Sequence, residues 1–106
     1  MTSSTIVSPV RAQLYQLLLA IPAGKVSTYG ALSHALHSSP RAVASMLAAN
    51  QHPDVVACYK VIHSDGRVGG YSATGGALEK IARLQADGIV IVQGRIDLHQ
   101  FGYLHF

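Results

Sequence analysis

Near the start of the chain Val10, Leu14, Leu17, Leu18 and Ile21 recur at helical spacing until the polar break "PAGK". Ser8 and Pro9 precede them as an N-cap residue and a first-turn proline, so the pattern predicts a helix over about 9–20. Thr28 is placed to cap a second, shorter helix carrying Leu32, Ala35 and Leu36, which "HSSP" breaks. Ser39 and Pro40 repeat the cap pattern for a third helix, from Pro40 to about Ala49, with Asn50 as its left-handed stop. Two short helices joined by a tight turn outline a helix-turn-helix, an outline shared by helical hairpins that never touch DNA. Beyond them the pattern changes: "VVACYKVI" reads as one or two short buried strand pieces, and "HSDGRVGGY" as a turn built on Asp65 and Gly66 followed by a return strand.

Size and composition narrow the picture. A chain of 106 residues, 49% of them hydrophobic, builds one modest core, so residues 1–106 are expected to form a single domain with no separate N-terminal domain. No apolar run approaches the roughly 20 residues that cross a bilayer, and "MTSSTIVSPVR" lacks the layout of a secretory signal, so the expectation is an intracellular protein without a membrane partner. One cysteine excludes an internal disulfide. The formal charge of +3 and the pI near 9.3 suit an anionic partner without naming it.

The third helix, "PRAVASMLAAN", sharpens that suggestion. Val43, Met46 and Leu47 are placed to face a core, whereas Ala42, Ser45 and Ala49 leave the other side smooth enough for close approach. Alanine is also simply the best helix former. Arg41 is different, because a cation in the first turn opposes the helix dipole and gains nothing from the helix by standing there. Cys58 is more ambiguous still: a free buried cysteine is usually an inert small hydrophobe, and Tyr59, Lys60 and His63 are near it only in sequence. His34 and His37 have no second pair at zinc-like spacing and read as solvent-facing, and "GRVGGY" and "TGG" lack the ending of a phosphate loop. Phe101, Tyr103 and Phe106 read as a terminal segment laid over the core.

Taken together, "GKVSTYGALS", "SPRAVASMLAAN", "ACYKVI" and "VGGYS" resemble, in order and interval, the C-terminal DNA-binding domain of the O6-alkylguanine-DNA alkyltransferases and their alkyltransferase-like relatives. The resemblance covers roughly Ile21 to Gly88. It implies a mainly α fold with small β elements, a winged-helix-like helix-turn-helix domain of the alkyltransferase C-terminal type. Where the family carries Pro-Cys-His-Arg-Val, this chain has Ala57, Cys58, Tyr59, Lys60 and Val61, so the acceptor cysteine is kept while three neighbours differ. By the same resemblance Arg41 fills the gap left by a flipped nucleotide, while Ala42 and Ser45 lie in the minor groove, where only short side chains fit. Tyr29 presses on the rotated phosphate and helps protonate the departing guanine. Asn50 joins the recognition helix to the active-site segment, and Gly70, Tyr71 and Ser72 line the base pocket.

Two functions follow from the resemblance. In the first, Cys58 as thiolate takes the alkyl group from guanine O6 once and irreversibly, with neither metal nor organic cofactor, acting as a monomer on duplex DNA containing O6-alkylguanine. An ordinary cysteine titrates near about 8.5, so activation helps. The family's cysteine, histidine, water and glutamate chain would here pass through Tyr59 and Asp87, and tyrosine is a poor base at neutral pH. Helix dipoles and Lys60 are the remaining candidates for activation. In the second, the chain is a sensor that flips the lesion and recruits nucleotide-excision-repair proteins, as do alkyltransferase-like proteins, which commonly have another residue at the cysteine place and whose final segment resembles "GRIDLHQFGYLHF".

Overall fold

The first helix, α1 (Pro9–Ala20), buries Leu14 and Leu18 as its apolar spacing requires, whereas Val10, at the start of the same pattern, stays exposed, as does Leu19. The computed structural model describes residues 9–49, 58–69 and 76–106. After the two-residue strand β1 (Ser27–Thr28), Thr28 Oγ1 accepts from the Ala31 amide at 3.0 Å and opens α2 (Tyr29–Ala35). Ser39 Oγ does the same for α3 (Pro40–Ala48), accepting from Ala42 at 3.1 Å, with Pro40 in the first turn. The turn between α2 and α3 closes through the Ser38 amide on the Ser33 carbonyl at 2.8 Å, with His37 at a φ of 52°. Helix α3 stops one residue earlier than the sequence pattern suggests, with Ala49 as its C-cap; Asn50 lies outside the described residues.

The cysteine segment differs from the expected strand. Among the described residues of that segment, Cys58–Lys60 form a single 3-10 turn and Val61–Ile62 (β2) are extended, pairing in parallel with β1 through Ser27 to Val61 and Thr28 to Ile62. Burial of Cys58, Lys60, Val61 and Ile62 together explains the mistake, because a run buried on every side shows no period by which to tell strand from helical turn. The turn after it does form, with the Gly66 amide on His63 O and the His63 amide on Arg67 O, both at 2.9 Å. Among the described residues its return is a bridge at Arg67, and that bridge reaches Arg95 rather than β2.

Helix α4 (Gly76–Ala86) ends in a left-handed glycine cap: Gly88 has a φ of 87°, its amide reaches Gln85 O, and Ile89 reaches back to Leu84 O at 3.0 Å. A hairpin follows, β3 (Ile91–Val92) antiparallel to β4 (Arg95–Ile96), turned by Gln93 and Gly94, both at positive φ as a two-residue hairpin with this twist demands. Helix α5 (Leu98–Phe101), capped by Asp97, leads into a segment tied to Val26, whose amide reaches Phe101 O at 2.8 Å and whose carbonyl accepts from Tyr103 at 2.7 Å. Of the C-terminal aromatics, Phe101 is buried and Tyr103 packs against the core, whereas Phe106 stays exposed, edge-on to Tyr103 at 5.3 Å.

Two apolar clusters make that core. One joins Leu14, Leu18, Leu32, Val43, Leu47 and Cys58, and the other joins Val26, Ile62, Leu84, Ile89, Ile96 and Phe101. Each fully buried aliphatic side chain contributes about 1.5–3 kcal/mol, so the helix-turn-helix is held by α1 behind it rather than by its own short helices. Among the described residues no helix is long and apolar enough to cross a membrane.

Candidate active site around Cys58

Cys58 lies on the seam between the two clusters. It is buried in the first, with 7% of its surface exposed, while the next residue, Tyr59, packs its ring against the second. A 3-10 turn rotates successive side chains by about 120°, and this rotation sends neighbours in sequence to different environments. Tyr59 accordingly has the Arg83 guanidinium carbon 6.0 Å from its ring centroid. Burial, then the nearby Asp87 charge, raise its hydroxyl above the ordinary tyrosine value, against the smaller opposing pull of Arg83. A phenol so held keeps its proton at neutral pH and accepts none.

Asp87 is engaged elsewhere. Its Oδ2 accepts from the Gly24 amide at 3.0 Å and stands 3.5 Å from Lys60 Nζ. That ammonium also donates to the carbonyls of Pro22 at 3.1 Å and Ile21 at 3.4 Å. Lys60 and Asp87 thus pin the turn after α1 to the end of α4. The Lys60 ammonium, a candidate for activating the thiol, is committed to this tie.

Among the described residues, Tyr29 and Lys80 are groups that the charge of a Cys58 thiolate would reach. Tyr29 opens α2 and packs against the first cluster, its ring 5.5 Å from that of His63. Burial, followed by the charge of Cys58, raises its hydroxyl above the usual tyrosine value. The position is sterically exacting, because a Cβ on the adjacent Gly30 would stand 2.6 Å from Ser64 Oγ. Lys80, on α4, has only 1% of its surface exposed and donates from Nζ to Val61 O at 2.7 Å. Burial lowers it to about 8, and the negative charge of a Cys58 thiolate opposes that fall. The sequence reading passed over Lys80, although one signal was there: it stands four residues before Leu84, a cation on the apolar stripe of an amphipathic helix.

Lys80 carries a consequence for stability. Its folded value lies below its unfolded one, so the unfolded chain binds more protons between pH 8 and 10.5, and stability rises with pH across that window. Tyr29 and Tyr59 are raised, and they act oppositely from pH 10 upward. Urea unfolding is therefore expected to show a gain of about 1–2 kcal/mol between about pH 8 and 9.5 that is missing in Lys80→Met.

The residues that the sequence leads one to expect at DNA are on α3. Arg41, Ala44, Ser45 and Ala48 are exposed at helical spacing, while Ala42 is half-buried at the edge of that stripe and Val43 and Leu47 point into the core. Ala44 and Ala48 were not singled out from the sequence. Gly70, Tyr71 and Ser72, the expected base pocket, lie outside the described residues, as does Asn50. His34 and His37 are exposed.

The sequence model described as "6-O-methylguanine DNA methyltransferase, DNA binding domain" matches residues 9–89. The chain belongs to this family. It is 50% identical over 95 residues to a bifunctional methyltransferase/endonuclease of Picrophilus torridus, a match covering 88% of this chain and 31% of that protein. The chain thus corresponds to less than a third of that relative's length. Its structure superposes on the O6-methylguanine-DNA methyltransferase of Pyrococcus kodakaraensis with a TM-score of 0.70 at 39% identity, covering 78% of this chain and 48% of that one. The S. pombe Atl1 protein, solved with damaged DNA containing O6-carboxymethylguanine, gives a TM-score of 0.79 at 24% identity over 93% of this chain and 98% of that one, a likeness of fold. The alkyltransferase-type helix-turn-helix domain expected from the sequence is therefore the fold observed.

Proposed function

We propose that the chain binds duplex DNA as a monomer through α3, flips an O6-alkylguanine out of the helix and transfers its alkyl group to Cys58. The observation that carries this reading is a thiol buried behind the helix-turn-helix, in one apolar cluster with Leu32 of α2 and Val43 and Leu47 of α3, with Tyr29 packed against that cluster. The Cys58 sulfur forms a bond to the alkyl carbon as the carbon–oxygen bond to O6 breaks. The electron pair leaves with the guanine, which takes up a proton. Tyr29 keeps its hydroxyl proton well past neutral pH and is the donor assigned to that step. The product is a thioether with no easy return route, so each molecule acts once. Kinship with proteins named as methyltransferases supports the reading. Incubation with a duplex containing O6-methylguanine is expected to add one methyl mass to the Cys58 peptide and never more than one per molecule. Tight lesion binding without that mass shift sinks the transferase.

A second reading has its own observation. Tyr59 stands in the family's histidine place with its ring beside Arg83, and Asp87, in the glutamate place, is tied to Gly24 and Lys60. The usual relay is not available in that form, which suits a sensor that flips the base and hands the lesion to nucleotide-excision repair. The mass measurement separates the two.

A further inference from the structure

We infer that His63 is a further DNA contact of this chain: its exposed imidazole, set beside the Tyr29 ring, takes a backbone phosphate of the flipped nucleotide and binds it more tightly once protonated. This deepens the proposed function and rests on its DNA-binding part, not on transfer to Cys58.

Strand register places the imidazole. In the parallel pair, Ser27 stands opposite Val61 and Thr28 opposite Ile62. The two segments stay side by side for two residues more: the rings of Tyr29 and His63 lie 5.5 Å apart, and a Cβ on Gly30 would stand 2.6 Å from Ser64 Oγ. On another side the imidazole lies over Gly69, where a Cβ would come within 2.7 Å of Nε2, so the absence of a side chain there makes room for the ring. The His63 backbone is held as well, its amide donating to Arg67 O and its carbonyl accepting from the Gly66 amide, both at 2.9 Å. The ring is thus fixed in place, yet neither of its nitrogens has a hydrogen-bond partner among the described residues.

Burial orders these groups along a path outward. Cys58 is buried, Tyr29 half-buried and His63 exposed. A nucleotide that enters with its base toward the thiol leaves its sugar and phosphates at the mouth of that path, where His63 stands. The charges around the ring suit an anion there. From α2 it meets Tyr29, which keeps its proton well past neutral pH, and from β2 the apolar Ile62. Its own turn brings Asp65 and Arg67, paired at 2.8 Å, and β4 brings Arg95, which donates to Asp65 O at 3.1 Å. The Arg67 amide, ahead of the Arg67 charge, holds the Asp65 carboxyl below its usual value, so one negative charge stays faced by two positive ones. Histidine side chains gain their charge below about pH 6.5, and a phosphate favours the charged form, so affinity for DNA rises as pH falls through that region.

The test compares the parent with His63→Gln, both titrated with an O6-methylguanine duplex at fixed salt. At about pH 8 the two are expected to agree within about twofold, and at about pH 5.5 the parent is expected to bind about five- to tenfold tighter, with a salt slope larger by about one. His34, His37 and His99 are exposed in both proteins and change both alike. His63→Phe keeps a ring against Tyr29 without the charge and is expected to match His63→Gln at the lower pH. Equal pH dependence and equal salt slopes in parent and His63→Gln overturn the proposal. Parent-like binding by His63→Phe at the lower pH makes the ring a packing partner of Tyr29 only and overturns it too. Should the variants fold poorly, nuclear magnetic resonance of the parent decides: the His63 ring protons are expected to titrate at higher pH in the complex than in the free protein, and an unmoved titration overturns the proposal. A parent that shows the pH dependence yet never takes a methyl upholds His63 and sinks only the transferase. A parent that binds no duplex at either pH sinks the DNA-binding reading and this inference together.

Discussion

Cys58→Ala is expected to reduce methyl transfer from O6-methylguanine duplex to background while changing affinity for the lesion by less than about threefold, or ~0.6 kcal/mol. The two effects separate because the sulfur is the only group lost. Alanine in a site that is 7% exposed and lined by Leu14, Leu18, Leu32 and Val43 leaves at most a small void. The stability cost is expected to be about 1 kcal/mol, too little to unfold a domain with two apolar clusters. Tyr29, which opens α2 ahead of the turn-capped α3, depends on Thr28 and Gly30 for its place and not on the sulfur. Transfer is scored by the mass of the Cys58 peptide and binding by gel shift at fixed salt. Transfer that persists in the alanine protein moves the acceptor to another residue. Binding lost together with transfer, in a protein that still melts cooperatively, makes the thiol part of the recognition surface.

The helix-turn-helix was legible because its caps are chemical signals readable one residue at a time. Thr28 and Ser39 do accept the Ala31 and Ala42 amides, and Leu14, Leu18, Leu32, Val43 and Leu47 are buried where their spacing puts them. The hairpin of β3 and β4 was missed, although Gln93 and Gly94 stand at its turn, because glutamine at a φ of 52° is an unusual choice for a position glycine or asparagine normally fills. Cys58 was picked out from family likeness, but its surroundings were not. Lys80 lies 22 residues further along the chain, and no pattern of local spacing links a helix stripe to a 3-10 turn across that interval. Lys60, two residues from Cys58 in sequence, proved to bind the Asp87 side of the fold. Near Cys58, then, nearness along the chain was a poor guide to contact, because a turn of three residues per cycle sends neighbours to different sides.

Arg41→Ala is expected to cost about tenfold in preference for alkylated over plain duplex, with a smaller loss on single-stranded alkylated DNA. The side chain is exposed in the first turn of α3, where the helix dipole disfavours a cation by about 0.3–1 kcal/mol. Alanine at that position therefore leaves the fold as stable or slightly more so, and a binding defect is not a folding defect. Flipping a base out of a duplex costs a few kcal/mol in lost stacking and pairing. A guanidinium in the vacated space recovers part of it, and tenfold corresponds to about 1.4 kcal/mol. A single strand has no stack to repair, so there the arginine matters only through its charge. Ala44, Ser45 and Ala48 complete the exposed stripe with short side chains, which in the proposed complex would let the helix lie close to the floor of a narrow groove. Binding measured over a salt series tests the division of roles, because loss of one phosphate contact alone lowers the salt slope by about one and weakens all duplexes alike. Equal losses on alkylated duplex, plain duplex and single strand make Arg41 an ordinary phosphate contact, and base flipping by this chain would then have to be stabilised by another group.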